Sequence, residues 1–350
     1  MSEFRHDPVQ KRWVIVAIER SRRPSDFKHD KAGKSREPKL CPFCPGNEDK
    51  TPPEIFAIRD CDSKPDTPGW EVRVIPNKFP ALAVEGDIGR RGLGIFDLMN
   101  GIGAHEVIIE TPEHGLHMGD MTVDHLFKIV KIYRNRIADL HRDHRLRYVL
   151  IFKNHGEVAG ASLAHPHTQL IATPITPRTI SAELDSGREH FFHKERCLFC
   201  DIINQELALK RRIVSATPEF VVLEPFASRF PFETWILPRE HSHDYTQSSD
   251  ELLRAFAEVL KDTLWRLKVA LDDAPFNFML HTAPNTAPRP GKPNYWGTLQ
   301  YDYHWHLEIM PRLTKVAGFE WGTGFYINPT PPETAADYLR HIKKENDAEG

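Results

Sequence analysis

The sequence predicts an α+β fold built from two related halves, each an antiparallel sheet with a helix packed on it. Three observations predict it. The order CxxC, strands, His, helix, strand, HxH occurs twice along the chain, and matched order makes each half one supersecondary unit. Two stretches, one per half, carry apolar residues at helical spacing, and the apolar runs around them are short, of strand length. The halves are expected over residues 1–175 and 195–350, joined around residues 176–194.

Size and charge narrow the function classes. With 350 residues, 40% of them hydrophobic, the chain can bury a sizeable core. A net charge of −3 gives no electrostatic case for nucleic acid or an anionic membrane. No apolar run approaches the roughly 18 residues that cross a bilayer, and the first residues lack the apolar centre of a signal peptide. A soluble, cytoplasmic protein is expected, with no nucleic-acid or membrane partner.

In order, residues 13–18 form an apolar strand, followed by Arg20, Arg22 and Arg23. Arginines after a strand usually make a solvated edge, and their forked guanidinium groups also match phosphate oxygens. A polar loop over 25–40 leads to Cys41-Pro42-Phe43-Cys44-Pro45-Gly46, where Pro and Gly set a turn that aims two thiolates at one point. Residues 71–83 read as a strand and a turn around Pro76-Asn77, and residues 106–110 as a strand ending before Glu113-His114. Over 122–141, Val123, Leu126, Phe127, Val130, Tyr133, Ile137 and Leu140 recur at helical spacing, a stripe that belongs to the core. Strands follow at 147–152 and 163–172.

The second half answers the first. Cys197-Leu198-Phe199-Cys200 repeats the first CxxC, strands are expected at 220–227 and 235–238, and Glu240-His241 answers Glu113-His114. A second helix carries Leu252, Leu253, Phe256, Val259, Leu260, Leu264, Leu267 and Leu271 on one stripe. Phe278-Met279-Leu280-His281 is set against Phe152-Lys153-Asn154-His155, and His304-Trp305-His306-Leu307-Glu308 against His165-Pro166-His167-Thr168-Gln169. Residues 284–296, rich in Pro and Asn, read as an insertion.

Four of the five cysteines lie in the two CxxC pairs, leaving Cys61. In a reducing compartment such pairs are metal clamps or redox motifs. A redox motif needs one pair and no ligands, so two pairs with following histidines favour zinc, which takes four N or S ligands tetrahedrally. The repeat assigns Cys41, Cys44, His114 and His165 to one site and Cys197, Cys200, His241 and His304 to the other. Four protein ligands leave no open position, so both zincs read as structural.

Chemistry is expected at the centre of the run from Asn154. On an extended strand His165, His167 and Gln169 face one way. With His165 on the metal, His167 is free, and an imidazole of fixed orientation is a good nucleophile toward phosphorus. Gln169 cannot titrate and is suited to steadying phosphoryl oxygens. The second copy has Glu308 in place of this amide, so His306 is the poorer candidate.

The run from Asn154-His155-Gly156 to HPHTQ, the CPFCPGNE knuckle, the PNKFPAL turn and the opening DPVQKRWVIVAIERSRRP together resemble the galactose-1-phosphate uridylyltransferase family, tandem HIT-like members of the histidine triad superfamily. The resemblance extends over nearly the whole chain and implies ping-pong transfer: UMP passes from UDP-glucose to His167 and then to galactose 1-phosphate. It also implies phosphate contacts from Asn154, Ser162 and Gln169, and a nucleoside pocket from Phe43, Asn77 and Phe79. Arg20 and Arg23 match arginines that reach a neighbouring subunit's site, which implies a homodimer. A nucleotide hydrolase of the same superfamily has a third histidine where Gln169 stands. A zinc scaffold for nucleic acid would need a basic surface, which the net charge opposes.

Two departures matter. The family's second metal site, in one form, is iron held by a glutamate and three histidines, here Glu183, His281, His304 and His306; the set with Cys197, Cys200 and His241 resembles the ADP-glucose phosphorylase relative and is preferred for a thiolate-binding metal. Glu183 is then expected in a surface or loop position, with His281 and His306 behind the metal or facing substrate. Second, the stretch containing Gly322, Thr323 and Gly324 also resembles ADP-glucose phosphorylases, and its backbone is expected to cradle a phosphate. Adenine in place of uracil, and inorganic phosphate as acceptor, are therefore the alternative.

Overall fold

A computed structural model describes residues 2–17, 19, 26–27, 40–288 and 295–342. Strands β1 (Glu3–Asp7) and β2 (Arg12–Val16) form a hairpin. Then come β3 (Phe56–Arg59), β4 (Trp70–Pro76), β5 (Arg91–Leu93), β6 (Phe96–Leu98), β7 (Ala104–Ile109), helix α1 (Val123–Leu140), β8 (Tyr148–His155) and β9 (His167–Thr173). Helices α2 (Arg178–Lys194) and α3 (Leu198–Leu209) lead to β10 (Ile213–Ala216), β11 (Phe220–Leu223), β12 (Thr234–Pro238), α4 (Asp250–Ala270) and β13 (Phe276–His281). The chain closes with α5 (Leu299–Asp302), β14 (His306–Pro311), α6 (Gly318–Thr323), β15 (Tyr326–Asn328) and α7 (Pro332–Arg340). The α+β class is as the sequence predicts.

The two halves do not build separate sheets. One ten-stranded sheet runs in the order β10-β11-β12-β14-β13-β8-β9-β7-β4-β3, and every pairing in it is antiparallel. Read from each edge inward, the order is β3-β4-β7-β9-β8 and β10-β11-β12-β14-β13, so the halves mirror each other and fuse along β8 and β13. Pairing these two strands removes the exposed edge that each half would otherwise present.

Side-chain alternation gives the sheet two different faces. Val72, Val74, Ile108, Val149, Ile151, Leu170, Phe220, Val222, Phe278 and Leu280 turn to one face and join Leu126, Val130 and Tyr133 of α1 and Phe256, Leu260 and Leu264 of α4 in a single buried core. Both helices begin at hydroxyl caps: Thr122 accepts from the His125 N–H and Ser249 from the Leu252 N–H. The predicted stripes therefore face the sheet and each other. On the opposite face Cys41, Phe43, Cys44, Ile75, Val107 and Ile109 cluster under the first half. There, α2 and α3 cover the second half through Ile180, Leu184, Phe199 and Ile203.

Some expected elements differ. The joint between halves is the seventeen-residue helix α2, and β9 begins only at His167. The first CxxC pair lies in the expected turn, closed by the Cys44 N–H to the Cys41 carbonyl, whereas the second is carried by a helix: Cys197 caps α3, with Cys200 in its first turn.

Candidate active site

Each cysteine pair meets its two histidines. Cys44 Sγ lies 3.3 Å from His114 Nδ1 and 3.5 Å from His165 Nδ1; Cys200 Sγ lies 3.4 Å from His241 Nδ1 and 3.6 Å from His304 Nδ1. Tetrahedral zinc, about 2.3 Å from sulfur and about 2.0 Å from nitrogen, sets S and N about 3.5 Å apart, so these edges fit. The tautomers fit too. His165 Nε2 donates to the Thr111 carbonyl, His241 to that of Gln300 and His304 to that of Pro238, which leaves each Nδ1 lone pair free for a metal. Burial holds the His165 pKa down to about 4, so the ring is neutral. Burial and the neighbouring Cys41 push Cys44 up to about 11, so metal binding would release its proton.

The alternative iron set does not assemble. His304 spends one nitrogen on Pro238 and turns the other to Cys200, leaving nothing for Glu183. Nor is Glu183 on the surface or in a loop: it is fully buried on α2, accepting from Gln10 Nε2 and from the Tyr303 hydroxyl. Around it converge His281, His306 and Glu308, all buried, as a further group able to hold a cation. His281 and His306 are thus sealed inside, not turned to substrate.

His167 opens β9 beside the first metal group. Its Nδ1–H donates to the His165 carbonyl at 2.8 Å, which directs the Nε2 lone pair outward, where it is able to act as a nucleophile. Phe43 sets its ring edge against both imidazoles, 5.4 Å from His167 and 6.1 Å from His165. Burial, and then the Lys153 charge, lower the His167 pKa and keep the ring neutral. From the helical face the strand is held by buried ions: Lys153 Nζ binds both Glu110 oxygens at 2.7 and 2.8 Å and the His167 carbonyl at 3.1 Å. Thr168 donates to Glu110 and contacts the Tyr133 hydroxyl at 2.8 Å.

The open side is a cavity of about 620 Å³ whose lining includes Pro42, Phe43, Asn77, Phe79, Ser162, His167 and Gln169. This brings together the expected nucleophile, amide and nucleoside residues. Gly156 and Gly160, at φ 82 and 93, make the turn that returns the chain toward Ser162, a conformation that a side chain would strain. Asn154 lies beside this turn, its Oδ1 accepting from Asn277 Nδ2 at 2.8 Å.

One further expectation is not met. Gly322 and Thr323 form the last turn of α6 and Gly324 its left-handed cap, whose N–H is spent on the Glu320 carbonyl. They present a helix C-terminus, not an amide cradle, and lie outside the cavity lining. Arg20 and Arg23 lie outside the described residues.

Strand pairing also corrects the repeat alignment. Phe152 stands opposite Gln169 and Met279 opposite Glu308, so Asn154 corresponds to His281, one residue from the expected match. The mirror of the active site thereby exchanges two amides, Asn154 and Gln169, for His281 and Glu308. Sequence reading also passed over His105. It stands two places before Val107 on β7, with Val107 opposite Gln169, and its Nε2 lies 2.9 Å from Gln169 Oε1. The only signal was an isolated histidine in an apolar strand.

No helix among the described residues is long and apolar enough to cross a membrane. Residues 1–177 match the profile of the galactose-1-phosphate uridyl transferase N-terminal domain, and residues 103–349 a domain of unknown function. Arabidopsis thaliana ADP-glucose phosphorylase is 36% identical over 97% of this chain and 93% of its own length. Galactose-1-phosphate uridylyltransferase of Thermotoga maritima is 28% identical over 99% of this chain and 100% of its own. The crystal structure of the Arabidopsis ADP-glucose phosphorylase with bound ADP-glucose superposes with a TM-score of 0.81 at 34% identity, covering 98% of this chain and 100% of that one. Sharing its N-terminal profile and matched almost end to end by these relatives, the chain belongs to the galactose-1-phosphate uridylyltransferase family.

Proposed function

We propose that the chain is a nucleotidyltransferase that carries a nucleoside monophosphate on His167. The observation that carries this is the pinned Nδ1–H of His167, which leaves Nε2 as a fixed nucleophile in a cavity lined by Gln169, Asn77 and Phe43. Nε2 attacks the α-phosphorus of a nucleoside diphosphate sugar, the bond from that phosphorus to the bridging oxygen breaks, and sugar 1-phosphate leaves. A phosphate oxygen of the acceptor then attacks the same phosphorus and displaces the imidazole. Leaving group and acceptor are both already anionic, so positioning and charge stabilisation are the main tasks. The two Cys/His groups hold zinc in this reading, and the first, through His165, fixes the start of the strand that carries His167.

Two substrates fit. In the first, UMP moves from UDP-glucose to galactose 1-phosphate. In the second, AMP moves from ADP-glucose to inorganic phosphate or another sugar 1-phosphate, a reading supported by the 36% identity to a protein named ADP-glucose phosphorylase. The expected quaternary state is a homodimer, inferred from Arg20 and Arg23.

Intact-protein mass after brief incubation with each sugar nucleotide tests this. An acid-labile uridylyl or adenylyl adduct, absent from His167→Ala, is expected and identifies the base. Release of glucose 1-phosphate with no adduct from either nucleotide would overturn the covalent role of His167.

A further inference from the structure

His105 lies between the two amides of the cavity. Its Nδ1 accepts from the Ala81 N–H at 3.3 Å, its Nε2 lies 2.9 Å from Gln169 Oε1, and the Asn77 amide nitrogen stands 3.0 Å from the same Nε2. Asn77 Oδ1 is committed to the Phe79 N–H at 2.9 Å, so it is the NH2 of Asn77 that faces the ring. The His105 carbonyl meanwhile accepts from the Asn77 N–H at 2.8 Å. One residue thus ties the loop bearing Asn77 and Phe79 to the amide beside the nucleophile.

A neutral imidazole has one donor and one acceptor, and its neighbours decide which is which. With the proton on Nε2, the ring makes two bonds, to Gln169 Oε1 and from the Ala81 N–H. With the proton on Nδ1, two N–H groups oppose each other at Ala81 and a lone pair faces the Gln169 oxygen; only the Asn77 contact gains. The count favours Nε2–H. That tautomer holds the Gln169 oxygen on the His105 ring and leaves its NH2 for the cavity that Gln169 lines. A proton on Nε2 also cannot accept from Asn77, whose NH2 is then left for a ligand.

We propose that His105 is a positioning residue: through its Nε2–H it orients the Gln169 amide as a hydrogen-bond donor toward the transferring phosphoryl group, and through its Nδ1 it holds the nucleoside loop in place. This rests on the role of Gln169 in the transfer proposed above. Its register explains why no other group does so: His105, Val107 and Ile109 project from one face of β7, beside Gln169 and His167 on β9, and His105 alone in that row carries a donor.

The test uses the full-length, zinc-loaded chain. Single-turnover formation of the nucleotidyl adduct is expected to slow about tenfold in His105→Leu, the scale of one neutral hydrogen bond, while zinc content and urea midpoint are kept. His105→Gln, which returns an amide donor near the Nε2 position, is expected to recover to within about threefold. In a Gln169→Ala background the same His105→Leu change is expected to have no further effect on the rate at saturating nucleotide, because His105 acts on the chemical step through that amide, while the lost loop contact raises only the nucleotide concentration needed. A rate within twofold of native in His105→Leu, or an equal loss in both backgrounds, would overturn the proposal. The tautomer is measured separately by nitrogen-15 spectroscopy of the ligand-free native chain. A proton on Nδ1 sinks the positioning role and leaves the transferase reading intact. A native chain that forms no adduct while showing Nε2–H sinks the transferase reading instead.

Discussion

Replacing Lys153 by Met is expected to be among the most destabilising single changes near the nucleophile. Lys153 and Glu110 are 3% and 0% exposed, and their two contacts at 2.7 and 2.8 Å leave the carboxylate with one further donor, Thr168. Methionine matches the aliphatic stem but leaves Glu110 without its cation. Removing one member of a buried pair costs about 3–5 kcal/mol, whereas replacing both with apolar or neutral groups of similar volume is often neutral. Lys153→Met should therefore lose about that much, and Lys153→Met with Glu110→Gln should regain most of it. The same change removes the donor to the His167 carbonyl, so adduct formation should slow in the single variant. Urea unfolding of zinc-loaded protein, followed by circular dichroism with the slope required to stay constant, reads the loss. A Lys153→Met variant within about 1 kcal/mol of native would refute the claim that this pair is sealed from water and holds the strand.

Two further outcomes follow from the same geometry. Cys200→Ser should lower zinc from two ions per chain to one by atomic emission while His167 still forms its adduct, whereas Cys44→Ser should lose both zinc and adduct, because His165 and Phe43 orient the nucleophile; two ions retained in either variant would refute the ligand assignment. Burial first, then the neighbouring His155, hold the His117 pKa at about 3 against 6.5 unfolded, and its Nδ1 accepts from the Gly119 N–H. An imidazole whose folded pKa is depressed loses stability as pH falls below the unfolded value, by about 1.4 kcal/mol per unit between about 6.5 and 3. His117→Asn, which can keep the Gly119 contact, should flatten the stability curve over that window; an unchanged slope would refute it.

Much of the site was legible because its chemistry uses rare residue types at constrained spacings. Cysteine pairs and HxH runs that repeat in the same order identify two ligand groups and leave His167 over, and amphipathic stripes identify α1 and α4, since both signals are local. The alignment of β13 was not legible for a physical reason. Phe278, Leu280 and His281 are buried and Met279 is half-buried, and three apolar residues in a row show no alternation of apolar and polar that would mark which face is which, so a one-residue slip moves every side chain across the sheet. Only pairing with β14 makes His281 the repeat counterpart of Asn154.

The sequence by itself determined the class of fold, the repeat, and which cysteines and histidines gather into the two groups able to hold a metal. Tertiary structure alone decided that the halves share one sheet, that Glu183 is sealed beneath the N-terminal hairpin, and that His105 stands beside Gln169. Each of these depends on a hydrogen bond or contact between residues far apart in the chain, and such partners leave no periodic trace in either segment.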